Sequence, residues 1–271
     1  MILKTFILLL VSTPAFSQIT LDKHGKISYE IDNNGISSNS IYRHEQNQRA
    51  SKLTDSILRT KFISLAQSED VVCGATVNLR GLCWVVSTIG RPWDPQLNFS
   101  HKAQFSFDYG KVYELHSHYM GKVFCSLNYE GNGKCLKLSI DSGTLKIIET
   151  VSTPKSAGPV ILVSPGIDQG GNLFGCLINF KHEVVCFNQL NDRIPVPEVF
   201  KLKKFNNILN VDSLMVGITI DMKLIFSEES KKTEEISNLT DNKKIIDMKY
   251  SGYHKSLCVT DQSLEEFCIE I

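Results

Sequence analysis

The eight cysteines of this chain fall into four pairs, and the two members of every pair are ten residues apart. The pairs are Cys73 and Cys83, Cys125 and Cys135, Cys176 and Cys186, and Cys258 and Cys268. Paired thiols can form disulfides or hold a metal ion, whereas a lone thiol can act as a nucleophile. A spacing kept four times predicts that one small structural unit recurs and that each copy carries its own crosslink.

The N-terminus has the features of an export signal, in the expected order. Lys4 provides a positive charge, residues 6–11 form a short apolar run, and Ala15 and Ser17 are small residues that suit cleavage before Gln18. We therefore predict a signal peptide at 1–17 and a secreted protein, or a periplasmic one in a Gram-negative bacterium. A buried N-terminal strand or helix is the alternative. No later stretch is apolar over the roughly 20 residues that a membrane-spanning helix needs.

An oxidising compartment favours disulfides, so the cysteine pairs and the export signal support each other. The alternative is zinc, but structural zinc sites use closely spaced cysteines whose sulfur atoms converge on one point. A ten-residue separation does not resemble that pattern. We therefore predict four disulfides, each within one pair.

The charge balance argues against a nucleic-acid partner. The chain has 29 basic and 29 acidic residues, and its longest basic cluster, 201–204, is short. Nucleic-acid binding proteins usually carry a basic excess or stripe.

Each cysteine pair is flanked by two apolar, β-favouring runs around a polar or glycine-containing centre, which is typical of a β-hairpin. A separation of ten places an odd-numbered loop between the cysteines, most simply three residues with a bulge. The two cysteines then lie opposite each other, with Cα atoms about 4.5–5.5 Å apart. Each bridge should stabilise the protein by about 2–3 kcal/mol.

The intervals between the pairs predict a further hairpin that has no cysteines. Successive first cysteines are 52, 51 and 82 residues apart, and the last interval is close to twice the length of one unit. Residues 214–227 again read as strand, turn and strand, with Gly217 and Ser227 standing where cysteines would be. Residues 18–29 have a similar pattern, and they form either another hairpin or an N-terminal strand that closes a ring.

Each interval also contains a β-rich stretch before its hairpin. Units of about 40–50 residues with up to four short strands are typical of β-propeller blades. We predict an all-β fold, a single propeller over 18–271 with about six blades, five or seven being the alternatives. A β-sandwich or a two-domain β protein is the competing architecture. A loop and short helix, with Ala50, Leu53, Ile57 and Leu58 at helical spacing, interrupt it at about 32–60.

The segment from Cys73-Gly74-Ala75 to Gly81-Leu82-Cys83-Trp84 resembles a repeat of the regulator of chromosome condensation family, and 258–268 is similar. The resemblance covers about 61–271, but the repeats are degenerate, because Val85 stands where the family usually has glycine. It implies a propeller with fewer than the usual seven blades. It also implies a binding platform, since nuclear members act as exchange factors or bind chromatin and a secreted bacterial one inhibits β-lactamases.

One set of side chains could bind a metal. Glu114, His116 and His118 alternate along a predicted strand and so share a face. Two histidines and a carboxylate are suitable ligands, although a polar face at a blade edge has the same pattern. The chain has no G-x-S-x-G, H-E-x-x-H or P-loop motif, and we expect no catalytic residue and no cofactor.

Four further residues are candidates for contacts or modification. Trp93, in an irregular loop, and Trp84 could anchor a partner, whereas a tryptophan folded back on the core is the alternative. Asn98 and Asn238 begin glycosylation sequons, and we expect both to lie in loops.

These features predict a secreted, monomeric, non-enzymatic protein that binds an extracellular protein or glycan through its propeller loops. The alternative is a secreted propeller hydrolase. Clustered carboxylates or histidines at one mouth of the channel would favour the hydrolase, and exposed aromatic side chains would favour binding.

Overall fold

The structure is a computed structural model. It describes residues 17–21, 27–31, 57, 59–76, 78, 80–91, 94–105, 112–141, 144–190, 192–211, 213–228, 230–251 and 255–270. The predicted signal peptide therefore lies outside the described residues, except for Ser17. Most of the predicted insertion at 32–60, including Ala50, Leu53 and Leu58, is also outside them. Ile57 and Arg59 are helical, and Ile57 is fully buried.

The described residues form six antiparallel sheets in which neighbouring strands follow one another along the chain. The first three sheets contain β1 (Ser17–Leu21) and β2 (Ile27–Ile31); β3 (Phe62–Ser68), β4 (Val71–Thr76), β5 (Gly81–Arg91) and β6 (Asp94–Phe105); and β7 (Val112–Ser117), β8 (Val123–Asn128), β9 (Gly133–Asp141) and β10 (Thr144–Ser152). The pairing of β1 with β2 confirms the two strands predicted in 18–29.

The other three sheets contain β11 (Val160–Ile167), β12 (Leu173–Asn179), β13 (Val184–Phe187) and β14 (Arg193–Ile194); β15 (Phe205–Val211), β16 (Leu214–Thr219) and β17 (Leu224–Phe226); and β18 (Ile245–Ser251), β19 (Ser256–Asp261) and β20 (Glu266–Glu270). Lys155–Ala157 form a 3-10 helix, and α1 (Glu198–Lys201) and α2 (Lys231–Thr240) are α-helices. None of the helices in the described ranges has the length and apolar character needed to cross a membrane.

The first strands of five sheets stand side by side, and we call β3, β7, β11, β15 and β18 the inner strands. β3 contacts β7, β7 contacts β11, β11 contacts β15, and β15 contacts β18. Tyr119, which follows β7, contacts Tyr250 of β18, with ring centroids 4.6 Å apart. In chain order, the sheets that begin with β11 and β15 come between the sheets of these two tyrosines. The inner strands therefore surround a common axis.

The core is divided into layers between successive sheets. Leu115 of β7, for example, packs with Val71 of β4, and Val163 of β11 packs with Leu127 of β8. Strands β4 and β8 are buried on both faces. In β8, Phe124 packs towards the preceding sheet and Val123, Cys125 and Leu127 pack towards the following one. This explains why the sequence shows continuous apolar runs there rather than an alternating pattern.

The four predicted disulfides are present and staple the hairpins formed by β4–β5, β8–β9, β12–β13 and β19–β20. The cysteines of each pair face each other in the register, with Cα atoms 3.9–4.1 Å apart. Opposed residues alternate between hydrogen-bonded and non-hydrogen-bonded pairs, starting from the hydrogen-bonded pair that closes each loop. The cysteines, three positions away from that pair, are therefore a non-hydrogen-bonded pair, in which opposed side chains approach most closely.

The cysteine-free hairpin is also present, formed by β16 and β17, but the positions assigned to its missing cysteines were wrong by one residue. Val216 faces Phe226, ten residues apart, whereas Gly217 faces Ile225. Gly217 has a different role, because a Cβ atom there would lie 2.7 Å from the ring of Phe205. The glycine lets that ring pack against the hairpin backbone.

Candidate functional site

The hairpins end in five-residue loops that all lie at one end of the sheets, and we call this end the hairpin-loop face. The loops are 76–80, 128–132, 179–183, 219–223 and 261–265. In each loop the backbone N–H of the first residue donates to the carbonyl of the fifth at 2.9–3.1 Å. The first and fifth residues close each of these five loops as a pair, so three residues lie between them, which confirms the predicted three-residue loop.

A side-chain oxygen reinforces each closure. The first loop residue is Thr, Asn or Asp, and its side chain accepts a hydrogen bond from the N–H of the fifth residue at 2.8–3.3 Å. These residues are Thr76, Asn128, Asn179, Thr219 and Asp261. Such side chains mimic a backbone turn and restrict the loop to one conformation.

The fourth loop residue adopts a positive φ wherever it is described. The angles are 76° at Gly131, 60° at His182, 63° at Met222 and 66° at Leu264. A residue in this region after a type I turn gives the bulge of a three-residue hairpin loop. Three of the four are not glycine, so the other hydrogen bonds of the loop must hold them in place.

Further backbone bonds tie these loops to the next sheet. The carbonyls of Gly131, His182 and Met222 accept from the first residues of the following inner strands, Val160, Phe205 and Ile245, at 2.8–3.0 Å. The three loops therefore cannot move independently of the neighbouring sheet. The hairpin-loop face is preorganised, which lowers the entropic cost of binding a partner.

Large apolar side chains project from this fixed framework. The second loop residue is Tyr129, Phe180 or Ile220 in three consecutive loops, with exposed fractions of 67%, 67% and 50%. Ile63 and Ile246, skipped by bulges near the start of β3 and β18, are exposed at the same end. Exposed apolar groups gathered on one face are typical of an interaction site.

Carboxylates on the hairpin-loop face are held in their charged form. Hydrogen bonds from Lys204 and Asn179 lower the pKa of Glu183, and a hydrogen bond from Thr219 lowers that of Asp221. The pKa of Asp261 is lowered by a hydrogen bond from Ser263, with additional backbone donors. These groups serve the loop structure and are poorly suited to carry a proton in catalysis.

At the opposite face, where the inner strands end, three ionisable groups form a paired cluster. Lys122 forms ion pairs with Glu69 and with Asp70, the latter at 2.9 Å. Burial by itself lowers the pKa of Lys122, but the hydrogen bonds to both carboxylates outweigh burial and raise it. Glu69 also accepts from the backbone N–H of Gly121, so this cluster joins the second and third sheets.

The three predicted metal ligands do not converge. Glu114 and His116 are neighbours, 3.1 Å apart, on one face of β7. His118 lies beyond the end of the strand, where Nδ1 is 3.1 Å from the carbonyl of Met120. Within the described ranges one trio of potential ligand atoms comes together, Cys258, Glu266 and Cys268, and its two sulfurs are joined in a disulfide.

The prediction of Trp84 as a contact residue was wrong. Its side chain is fully buried and packs on Phe62, with ring centroids 5.5 Å apart. It faces Val72 of β4, a strand covered on both sides, so no partner can reach it. Trp93 lies outside the described residues.

Neither sequon lies in a loop as predicted. Asn98 is within strand β6, and Asn238 is an exposed residue of helix α2. Whether either asparagine is glycosylated remains a prediction.

The sequence also contains a second repeated feature, the residue that caps each hairpin loop, which the prediction from the cysteine spacing did not use. A residue able to cap the loop occurs three positions after the first cysteine of every pair, as in Cys125 and Asn128. Thr219 stands in the same place relative to Val216, and it would have located the cysteine-free hairpin in the correct register. In the four loops where it is described, the residue that follows the cap is exposed.

No protein-family model matches the chain, and no curated protein matches it. Solved structures do. The yeast RCC1 (Prp20) structure determined with Kap60 has a TM-score of 0.52 and 15% identity, covering 77% of this chain and 55% of that one. The ectodomain of the Physcomitrella patens receptor kinase CR4 has a TM-score of 0.55 and 14% identity, covering 95% and 61%.

The CRINKLY WD40 ectodomain of the Arabidopsis thaliana receptor kinase ACR4 gives a TM-score of 0.50 at 13% identity, covering 94% of this chain and 79% of that chain. The chain thus spans a little over half of the yeast protein and most of the Arabidopsis domain. At these identities the likeness concerns the fold, which agrees with sheets packed face to face around an axis. The chain is an all-β protein with a β-propeller fold, and four of its hairpins carry a disulfide.

Proposed function

We propose that this protein is a secreted, non-enzymatic interaction module that binds another protein through its hairpin-loop face. The observation that carries the proposal is the exposure of Tyr129, Phe180 and Ile220 at equivalent positions of three rigid, consecutive loops. Aromatic and aliphatic side chains on a preorganised surface can be buried by a partner at little conformational cost.

Secretion is part of the same proposal. It is supported by the order of charge, apolar run and small residues at the N-terminus, and by four disulfides, which persist in oxidising compartments. We further propose kinship with the regulator of chromosome condensation family, on the resemblance of the repeats and the propeller fold. One of the similar propeller structures, yeast RCC1, was determined with Kap60 bound to it, which supports a protein-binding role for the fold.

A hydrolase is the weaker candidate. Several carboxylates on the two faces are engaged in loop caps or ion pairs, as at Asp261 and at Glu69 with Lys122. No observation on the described residues favours a particular reaction.

The test is affinity capture from extracellular material with the oxidised protein, followed by mass spectrometry. The variant Y129S/F180S/I220S should lose the captured protein, whereas Met120→Ser, an exposed apolar residue on the opposite face, should retain it. Retention by the triple variant would refute the proposed binding face. Capture that periodate treatment of the extracellular material abolishes would instead identify a glycan partner.

A further inference from the structure

One part of the hairpin-loop face combines apolar and basic side chains. It is formed by loops 179–183 and 219–223 and by the segments 202–204 and 241–244 that precede the inner strands β15 and β18. We call these residues the basic sector. Its exposed apolar side chains are Phe180, Ile220 and Leu202, and Leu202 has an exposed fraction of 78%.

Backbone hydrogen bonds hold the parts of the basic sector together. The N–H of Ile220 donates to the carbonyl of Lys204 at 3.1 Å, and the N–H of Phe205 donates to that of His182 at 2.9 Å. Ring nitrogen Nδ1 of His182 lies 2.9 Å from the carbonyl of Phe205. Beneath them Phe200 stacks on Phe205 with ring centroids 4.6 Å apart. The apolar tips are therefore presented at fixed positions.

The lysines of the basic sector divide into two groups. Lys204 is paired with Glu183 at 2.8 Å, and Lys243 with Asp261 and Glu265 at 3.6 and 3.4 Å, so the charges of these two lysines are neutralised locally. Four others are not within ion-pair distance of any carboxylate in the part of the chain that the structure describes. These are Lys181, Lys203, Lys223 and Lys244.

This charge is local rather than general, because the whole chain has equal numbers of basic and acidic residues. The neighbouring loops of the hairpin-loop face are acidic by contrast, with Glu130 in one and Asp261 and Glu265 in another. A partner that selects the basic sector over the rest of the face must therefore carry negative charge. It must also offer apolar groups to cover Phe180, Ile220 and Leu202.

We infer that the basic sector binds an acidic polypeptide segment that contains aromatic or aliphatic side chains. This inference rests on the proposed function and names the partner's chemistry. Aliphatic tips such as Ile220 and Leu202 do not stack on sugars as aromatic rings do, which argues against a sulfated glycan. The carboxylates of Glu183 and Asp221, kept charged by their hydrogen bonds, lie among the lysines and would repel a uniformly anionic membrane surface.

The experiment pans a random peptide display library against the immobilised, oxidised full chain. Enriched peptides are synthesised, and their affinities are measured by fluorescence anisotropy at low and at physiological salt. We expect enriched peptides to combine Asp or Glu with aromatic or aliphatic residues, and their binding to weaken as salt screens the charges. Enrichment of neutral or basic peptides would overturn the inference.

Two variants and one control separate the contributions. Charge reversal in K181E/K203E/K223E/K244E should weaken peptide binding by about tenfold to a hundredfold, as expected for four exposed charge pairs. The variant F180S/L202S/I220S should abolish it. The control M120S/K255E changes exposed residues at the opposite face and should bind as the parent does. All altered side chains are exposed, so an unchanged thermal midpoint confirms that each variant folds.

The outcomes distinguish this inference from the proposed function. If F180S/L202S/I220S loses binding but charge reversal has no effect, the acidic partner is wrong and the proposed face stands. If phosphatidylserine-containing phosphatidylcholine vesicles or heparin bind the parent and no peptide does, the polypeptide partner is wrong. If capture of the native partner survives Y129S/F180S/I220S, the proposed function itself fails, whatever the peptides show.

Discussion

Two hairpins in this molecule have the same shape, although one has a covalent crosslink and the other has none. In β8–β9 the facing residues are Cys125 and Cys135, and in β16–β17 they are Val216 and Phe226. Both pairs are ten residues apart, and in both hairpins the N–H of the first loop residue donates to the carbonyl of the fifth at 2.9–3.0 Å.

The comparison separates what sets the register of a hairpin from what stabilises it. Asn128 and Thr219 cap their loops through side-chain oxygens, and the loops contain residues of positive φ at the same place, Gly131 and Met222. The unstapled hairpin reaches the same register with these features alone. The disulfides therefore add stability to a geometry that the loops already define.

Deleting a staple should have the largest effect. The variant C125A/C135A should lower the free energy of unfolding by about 2–3 kcal/mol through the lost crosslink, with a further loss because both cysteines are fully buried. Denaturant unfolding under oxidising conditions measures the change. Hydrogen exchange should still protect the amide of Asn128, since the cap remains. Loss of that protection in the folded variant would mean that the disulfide sets the register.

Adding a staple should have a slightly smaller effect of the opposite sign. In V216C/F226C the new cysteines occupy the register of the natural pairs, so they should form a disulfide without movement of the backbone. The matched control V216S/F226S loses the same packing without a crosslink, and the oxidised dicysteine variant should be more stable than it by about 2–3 kcal/mol. Free thiols in the purified variant would show that the two hairpins differ in geometry.

Removing a loop cap should cost less than removing a staple. Asn128 Oδ1 accepts hydrogen bonds from the N–H groups of Glu130 and Asn132 at 3.0 and 2.8 Å. Asn128→Ala leaves both donors without this acceptor and should lower the free energy of unfolding by about 1–2 kcal/mol. Asn128→Asp keeps an acceptor, as Asp261 does in the last hairpin, and should be close to the parent. If both variants lowered the free energy of unfolding equally, the acceptor oxygen of the cap would contribute nothing to stability.

The sequence predicts most of this fold because the hairpins are encoded locally, by apolar runs, loop residues and paired cysteines. The predicted register of the cysteine-free hairpin was wrong because it extrapolated the cysteine spacing to Gly217 and Ser227. The cap at Thr219 was not used. Once the caps are recognised, the register of each hairpin follows from a single polar residue.

The candidate site was harder to predict, because exposure depends on which loop position a residue occupies. The hairpin pattern places Phe180 in the centre of its loop, but only the position of this residue directly after the Asn179 cap shows that its ring lies in solvent. Trp84 reads as a contact residue beside a cysteine, yet its side chain is fully buried and packs on Phe62. Convergence of Glu114, His116 and His118 would have required the strand to continue beyond Ser117, where it ends.

Acid should distinguish the last hairpin from the others, and this is the smallest effect that we expect. Asp261 occupies the cap position that asparagine or threonine fills elsewhere, and hydrogen bonds from Ser263 and backbone N–H groups lower its pKa from the usual 3.8, aided by Lys243. A carboxyl group whose pKa is lower in the folded state stabilises the protein above its unfolded pKa. That contribution is lost as the pH falls below about 4 and through the folded pKa.

Asp261→Asn provides the test, because the amide oxygen preserves the acceptor but does not titrate. The free energy of unfolding of the parent minus that of the variant should be constant near neutral pH and should decrease as the pH falls below about 4. Subtracting the variant removes the contributions of the other carboxylates with lowered pKa values, Asp168, Glu183 and Asp221, which both proteins share. A difference that stays constant through this range would show that the charge of Asp261 does not contribute to its cap, and that this loop is held, like the loop of Asn128, by acceptor geometry alone.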